Sequence, residues 1–168
     1  MRKRDGVFYI ANIRLPTERA HGIQIMNMCA AFSKVGVRVK LLHPRRVNEI
    51  KESAFDYYRI DKNFEIKKLF TLDTIVYDRY LKKFAFWIQS ITFLVSTFFH
   101  LFFQSRKNVL YVRDSFFTLF RLLGFLVIYE CHDIPKSRNK TFFSLCRLAK
   151  HVVVISNELQ KDFLDQGF

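Results

Sequence analysis

Glycine is scarce in this sequence, with 5 in 168 residues, and proline is scarcer at 3. With 50% hydrophobic residues besides, the chain is neither a disordered tail nor a low-complexity segment, and it is long enough for one domain with a real core. Cysteine is scarce too. Cys29, Cys131 and Cys146 are too few and too far apart for a disulfide framework or a zinc motif, so reduced cytosolic thiols are expected. Acid is in short supply, with 15 Asp and Glu against 28 Lys and Arg. The resulting formal charge of +13 favours anionic partners, whether phosphorylated ligands, acidic lipid headgroups or nucleic acid. A secretory leader is not read: Met1-Arg2-Lys3-Arg4 has the basic start of one, but the apolar stretch 7–13 is interrupted by Asn12, closed by Arg14 and lacks a small-residue cleavage pattern. The sequon at Asn139 would count only in a secreted chain.

What is present is a repeated alternation of short apolar runs and helical patterns. Residues 7–11 (VFYIA) read as a first strand, the polar segment 12–22 as a loop, and 21–35 as a helix with Ile25, Met28, Cys29 and Phe32 on one face. Gly36 ends that helix and 37–42 form the next strand, giving a βαβ opening. Residues 47–63 are a polar excursion with a helical turn, and 64–69 an edge strand. After residue 108 the rhythm resumes: strands at 109–112, 125–129 and 151–155 alternate with helices at 115–123, 141–149 and 157–164. Ser115 and Ser156 are suitable helix caps. The predicted fold is α/β, a Rossmann-like and predominantly parallel sheet with helices on both faces.

Between them lies an apolar run, 84–105, that carries no charged residue when His100 is neutral and is flanked by Lys82, Lys83, Arg106 and Lys107. It is long enough to cross a membrane. Gln89, Thr92, Ser96, His100 and Gln104 nevertheless recur at spacings of three and four, a narrow polar stripe on one side of a helix. The stripe suits a domain helix packed between the sheet and a partner surface, with a membrane-surface element as the next reading. A full span would expose the stripe to hydrocarbon.

Ligands of a parallel α/β sheet meet the carboxyl ends of its strands, and the polar punctuation here falls at those ends. The first strand is followed by Asn12, Arg14, Thr17, Glu18, Arg19, His21 and Gly22, the second by His43, Arg45 and Arg46, and later ones by Arg113 and Asp114, by Glu130, His132 and Asp133, and by Ser156. The first loop is too poor in glycine for a dinucleotide fingerprint and lacks a lysine-bearing phosphate loop, which excludes those assignments. His21 and Gly22 instead stand where the first long helix begins, where backbone N–H groups and the helix dipole receive an anion or a polar sugar group. Gly22 also reads as a tight entry from loop to helix. Arg14 and Arg19 are able to clamp phosphate or to stand as solvated surface charge. His132 is the best local candidate for proton transfer or sugar hydroxyl binding. Glu130 projects to its side if the extended backbone persists, whereas Asp133 either orients His132 or turns the chain before Pro135. No spacing of ligands points to a metal, and no cofactor is called for.

Taken in order, RLPTERAHG at 14–22, HGIQIM at 21–26, LHPRR at 42–46, YVRD at 111–114, YECHD at 129–133 and VISNEL at 154–159 resemble the acceptor-side, amino-terminal domain of a GT-B glycosyltransferase of the retaining family 4 group. The resemblance covers almost the whole chain. It implies a two-domain enzyme of polysaccharide biosynthesis that transfers sugar from a nucleotide-sugar donor to a glycan or lipid-linked acceptor in an interdomain cleft. His21 and Gly22 match the loop near the donor pyrophosphate, His132 the histidine near the reaction centre, and Arg113 and Asp114 a pair on the cleft rim. Residues 1–168 are then one domain. The donor-binding half is expected beyond Phe168, so this chain alone should bind donor weakly and transfer sugar poorly or not at all.

The expected place is cytoplasmic, peripheral on the cytosolic face of a membrane, with part of 84–103 and its basic flanks meeting acidic headgroups. The alternative is a basic, noncatalytic anion- or nucleic-acid-binding α/β module. Nucleic acid is disfavoured because the aromatics lie in apolar runs instead of alternating with basic residues.

Overall fold

The computed structural model describes residues 5–74, 83–135 and 140–168. The chain is an α/β protein with a Rossmann-like, all-parallel sheet of six strands in the order β3-β2-β1-β4-β5-β6. It divides into two compact units, one of residues 6–104 and one of residues 1–5 with 105–168.

In the first unit, β1 (Val7–Ile10), α1 (Ala20–Lys34) and β2 (Val39–Pro44) form the expected opening. β1 pairs with β2 from Val7 opposite Val39 to Ile10 opposite Leu42. Tyr9, Ile10, Ile25, Met26, Cys29, Leu41 and Leu42 are buried and make the core. Each such side chain contributes roughly 1.5–3 kcal/mol by leaving water. α2 (Ala54–Tyr58) is the helical turn of the polar excursion, capped by Ser53, whose hydroxyl accepts from the Asp56 N–H at 3.2 Å. β3 (Glu65–Leu69) is an edge strand, as its imperfect alternation predicts, and its Glu65 pairs with Lys40 opposite at 2.9 Å.

The long helix α3 (Lys83–Phe102) is apolar on its outer arc and carries both apolar and polar residues on its buried side. At 3.6 residues per turn, Phe84, Trp87, Ile88, Ile91, Val95, Phe98, Phe99 and Phe102 fall within an arc of about 120°, and all eight are exposed. The buried side carries Ala85, Phe93 and Leu101 together with the polar Gln89, Ser90 and Thr97. Those polar groups have partners: the Gln89 amide donates to Asn12 Oδ1 at 2.8 Å, Asn12 Nδ2 donates to Ser90 Oγ at 3.0 Å, and the Thr97 hydroxyl donates to the Phe93 carbonyl at 2.7 Å. Gln89 of the predicted stripe therefore points into the unit, the reverse of an ordinary surface helix.

In the second unit, β4 (Val109–Val112), β5 (Leu126–Cys131) and β6 (His151–Val154) pair in parallel, from Val109 opposite Leu126 and from Ile128 opposite His151. Segment Ser115–Leu123, expected as an α-helix, is a 3-10 helix. Three residues per turn stack Phe117 on Phe120, both buried, with ring centroids 5.9 Å apart, and Thr118 Oγ lies 2.6 Å from the Ser115 carbonyl and 2.7 Å from that of Leu145. Gly124 closes it at φ 86°, a left-handed conformation that suits glycine. α4 (Lys140–Cys146) and α5 (Asn157–Asp165) follow, the second capped by the Ser156 hydroxyl, which accepts from the Leu159 N–H at 3.2 Å. Phe142, Phe143, Phe163 and Phe168 cluster ring against ring between these helices.

Candidate functional site

The loop leaving β1 and the first turn of α1 wall a hollow of about 420 Å³, lined by Asn12, Arg14, Thr17, Arg19, His21, Arg46 and Phe86 among others. Three of the residues expected from sequence, Arg14, Arg19 and His21, thus come together with Arg46, which follows the end of β2. Arg46 is held below its ordinary pKa by burial first; Asp73 opposes that, and the like charges of Arg14 and Arg19 add to it. Its Nε lies 3.5 Å from Asp73 Oδ1, an ion pair without well-formed hydrogen-bond geometry, while Asp73 Oδ2 accepts from the Val47 N–H at 2.7 Å. Arg14 Nη2 reaches both oxygens of Glu18, at 2.7 and 3.1 Å, and the Glu18 carboxyl is held below its usual value, chiefly by a backbone hydrogen bond of its own residue and then by Arg14.

Three guanidiniums therefore stand against two carboxylates around the hollow, beside the amino end of a 15-residue helix. Both the charge excess and the helix dipole favour an anionic ligand.

Gly22 has a packing reason of its own. A Cβ there would lie 2.1 Å from the Tyr58 hydroxyl oxygen and 2.6 Å from Thr17 Cγ2. Tyr58 fills the space a side chain would take, accepting from the Thr17 N–H at 2.8 Å and donating to the Thr17 carbonyl at 2.7 Å. The tyrosine thereby fixes the loop from which Glu18 and Arg19 project, directly before His21 in the first turn of α1.

In the second unit the candidates follow β4 and β5. Glu130, inside β5, is buried and its carboxylate meets His132 Nε2, so alternation along the strand does carry the two side chains to one side. Tyr111 of β4 also bonds Glu130; burial first, and then that carboxylate, push its phenol pKa up, with Arg113 acting in the opposite direction. Glu130 therefore holds the imidazole at Nε2, on a ring about a quarter exposed. Asp133 is exposed, and its backbone carbonyl accepts from the Cys131 thiol at 3.4 Å. Asp114 is the N-cap of the 3-10 helix, its carbonyl accepting from the Phe117 N–H at 3.1 Å. Among the described residues no group of three or more His, Cys, Asp or Glu side chains is placed to hold a metal ion.

No family model matches this chain, and no curated protein matches it significantly.

Two participants were not singled out from sequence. Arg46 read as one of several basic residues after a strand, and its neighbours in space, Asp73 and Arg19, each 27 residues away in the chain, mark it. Tyr111 reads as strand core, and its signal is the register that sets Tyr111 opposite Ile128, two residues before Glu130.

Proposed function

We propose that this chain is the acceptor-side half of a GT-B glycosyltransferase similar to the retaining family 4 group, which transfers sugar from a nucleotide-sugar donor to a glycan or lipid-linked acceptor. The observation that carries the reading is the hollow at the amino end of α1, where Arg14, Arg19, Arg46 and His21 gather. Such a site suits the phosphate groups that a nucleotide sugar and a lipid-linked acceptor share. The α/β fold and the pairing of His132 with Glu130 support it further.

In this reading the donor nucleotide is held mainly by a second Rossmann-like half, and the present residues orient the acceptor. His132 contacts the sugar at the reaction centre with its ring fixed by Glu130, and the basic hollow stabilises charge that separates onto the leaving phosphate. The acceptor attacks from the face that the nucleotide leaves. The test is transfer of labelled sugar from nucleotide sugars to glycan and lipid-linked acceptors by the complete enzyme. His132→Ala should lower turnover about 100-fold or more with the fold intact. Unchanged turnover with donor and acceptor both saturating would remove His132 from the reaction centre, and failure of every nucleotide sugar to react would remove the proposal.

A further inference from the structure

Helix α3 is built for an apolar medium on its outer side. Phe84, Ile88, Ile91, Val95, Phe98 and Phe102 repeat at spacings of four and three, all exposed, and Phe70 beside β3 extends the apolar surface through a groove shared with Ile91, Val95 and Phe99. An apolar surface of this extent marks an interaction site. By length and composition α3 could cross a bilayer, but a third of it is buried, and Gln89 and Ser90 are committed to Asn12. One side belongs to the protein and the other to something without hydrogen-bonding groups.

Charge decides what that is. From Arg79 to Arg113 the sequence holds six basic residues, Arg79, Lys82, Lys83, Arg106, Lys107 and Arg113, and no acidic one. Arg79 and Lys82 lie outside the described residues, as does the side chain of Lys83. Lys107 follows Phe103 by four residues, so even an extended chain keeps the two within about 14 Å. Arg106 and Lys107 line, with Arg121 and Lys150, a hollow of about 530 Å³. Apolar surface followed within a few residues by clustered cations complements an anionic lipid surface. A second copy bearing the same +13 is repelled by that charge.

We propose that α3 lies flat in the surface of an anionic membrane, its outer arc among the upper acyl chains and the Arg106–Lys107 group on headgroup phosphates. The inference does not rest on the glycosyltransferase reading and stands or falls separately from it.

Trp87 is the single tryptophan of the chain and sits on the outer arc, 62% exposed, so its fluorescence reports on this face alone. The full chain is titrated with phosphatidylcholine vesicles and with vesicles containing phosphatidylglycerol. The anionic vesicles at low salt should shift Trp87 emission to the blue, acyl-brominated lipids should quench it, and raised salt should weaken both effects. Lys107→Glu with Lys150→Glu should lower the partition coefficient about tenfold or more, as should Ile91→Asp with Phe98→Asp. All four positions are exposed, and circular dichroism checks that the variants fold. Unchanged Trp87 emission with anionic vesicles overturns the proposal. So does a lipid-free dimer in sedimentation whose Trp87 is already blue-shifted, retention in native membranes after alkaline extraction, or a Trp87 response to single-stranded nucleic acid but not to vesicles.

Discussion

Tyr58 occupies the volume that a side chain at position 22 would need: its hydroxyl oxygen stands 2.1 Å from where a Cβ on Gly22 would lie, while it is hydrogen-bonded to both backbone groups of Thr17. Gly22→Ala must therefore displace Tyr58 or the helix start. The expected loss is about 2–4 kcal/mol in urea unfolding, and about 1–2 kcal/mol for Tyr58→Phe. Because the two residues share one contact, Gly22→Ala combined with Tyr58→Ala should cost less than the sum of the single changes. Additive costs would show that the contact is not the reason for the glycine.

His43 supplies a pH dependence. Its ring is buried, and desolvation, helped by Lys68, pushes its pKa down to about 4 from the ordinary 6.5. Between those values the unfolded chain binds the proton that the folded chain refuses. Its contribution is complete above pH 6.5 and is lost as pH falls toward 4, an effect of roughly 3 kcal/mol. Stability measured from pH 7 to 4 should fall in wild type, and His43→Met should flatten the slope over that window.

The basic hollow separates two kinds of arginine. Arg19→Gln should weaken inorganic pyrophosphate binding about tenfold while leaving the melting temperature close to wild type. Arg46→Gln should weaken it similarly and also lower stability, because Asp73 then keeps a largely buried charge without its ion-pair partner. Titration calorimetry beside thermal melts distinguishes the two, and equal effects of both changes on melting would contradict the assignment.

In the proposed reading Glu130 acts through His132. In the complete enzyme, Glu130→Gln should lower turnover about 10- to 100-fold with little change in acceptor KM, because the imidazole loses the carboxylate that holds it. A residue that merely filled the core would change the melting temperature and leave the turnover of the folded enzyme unmoved.

Strand β4 is where sequence and structure agree residue for residue, because a short apolar run bounded by polar residues has one reading. β5 runs two residues further than its apolar run. Glu130 and Cys131 are drawn into the sheet by pairing with Val153 and Val154, an arrangement that local composition does not contain. The contact of Glu130 with His132 depends on that extension and was open in the sequence for the same reason. Arg14, Arg19 and His21 were legible as candidates, being polar residues after a strand, but the gathering of Arg46 beside them depends on the β1–β2 pairing. For α3 the periodicity located a polar stripe without saying which way it faced. A polar stripe opposite an apolar arc ordinarily looks outward, and the contact with Asn12, 77 residues from Gln89, turns Gln89 inward here.

The amide of Asn12 joins two things that chain distance keeps apart. It leaves β1 at the mouth of the arginine-lined hollow and holds Gln89 and Ser90 of α3, while Phe86 from the same helix lines that hollow. Asn12 and Phe86 thus tie α3 to the loop that walls the hollow. If the hollow takes a ligand and α3 takes a membrane, thermodynamic linkage makes any coupling between the two reciprocal.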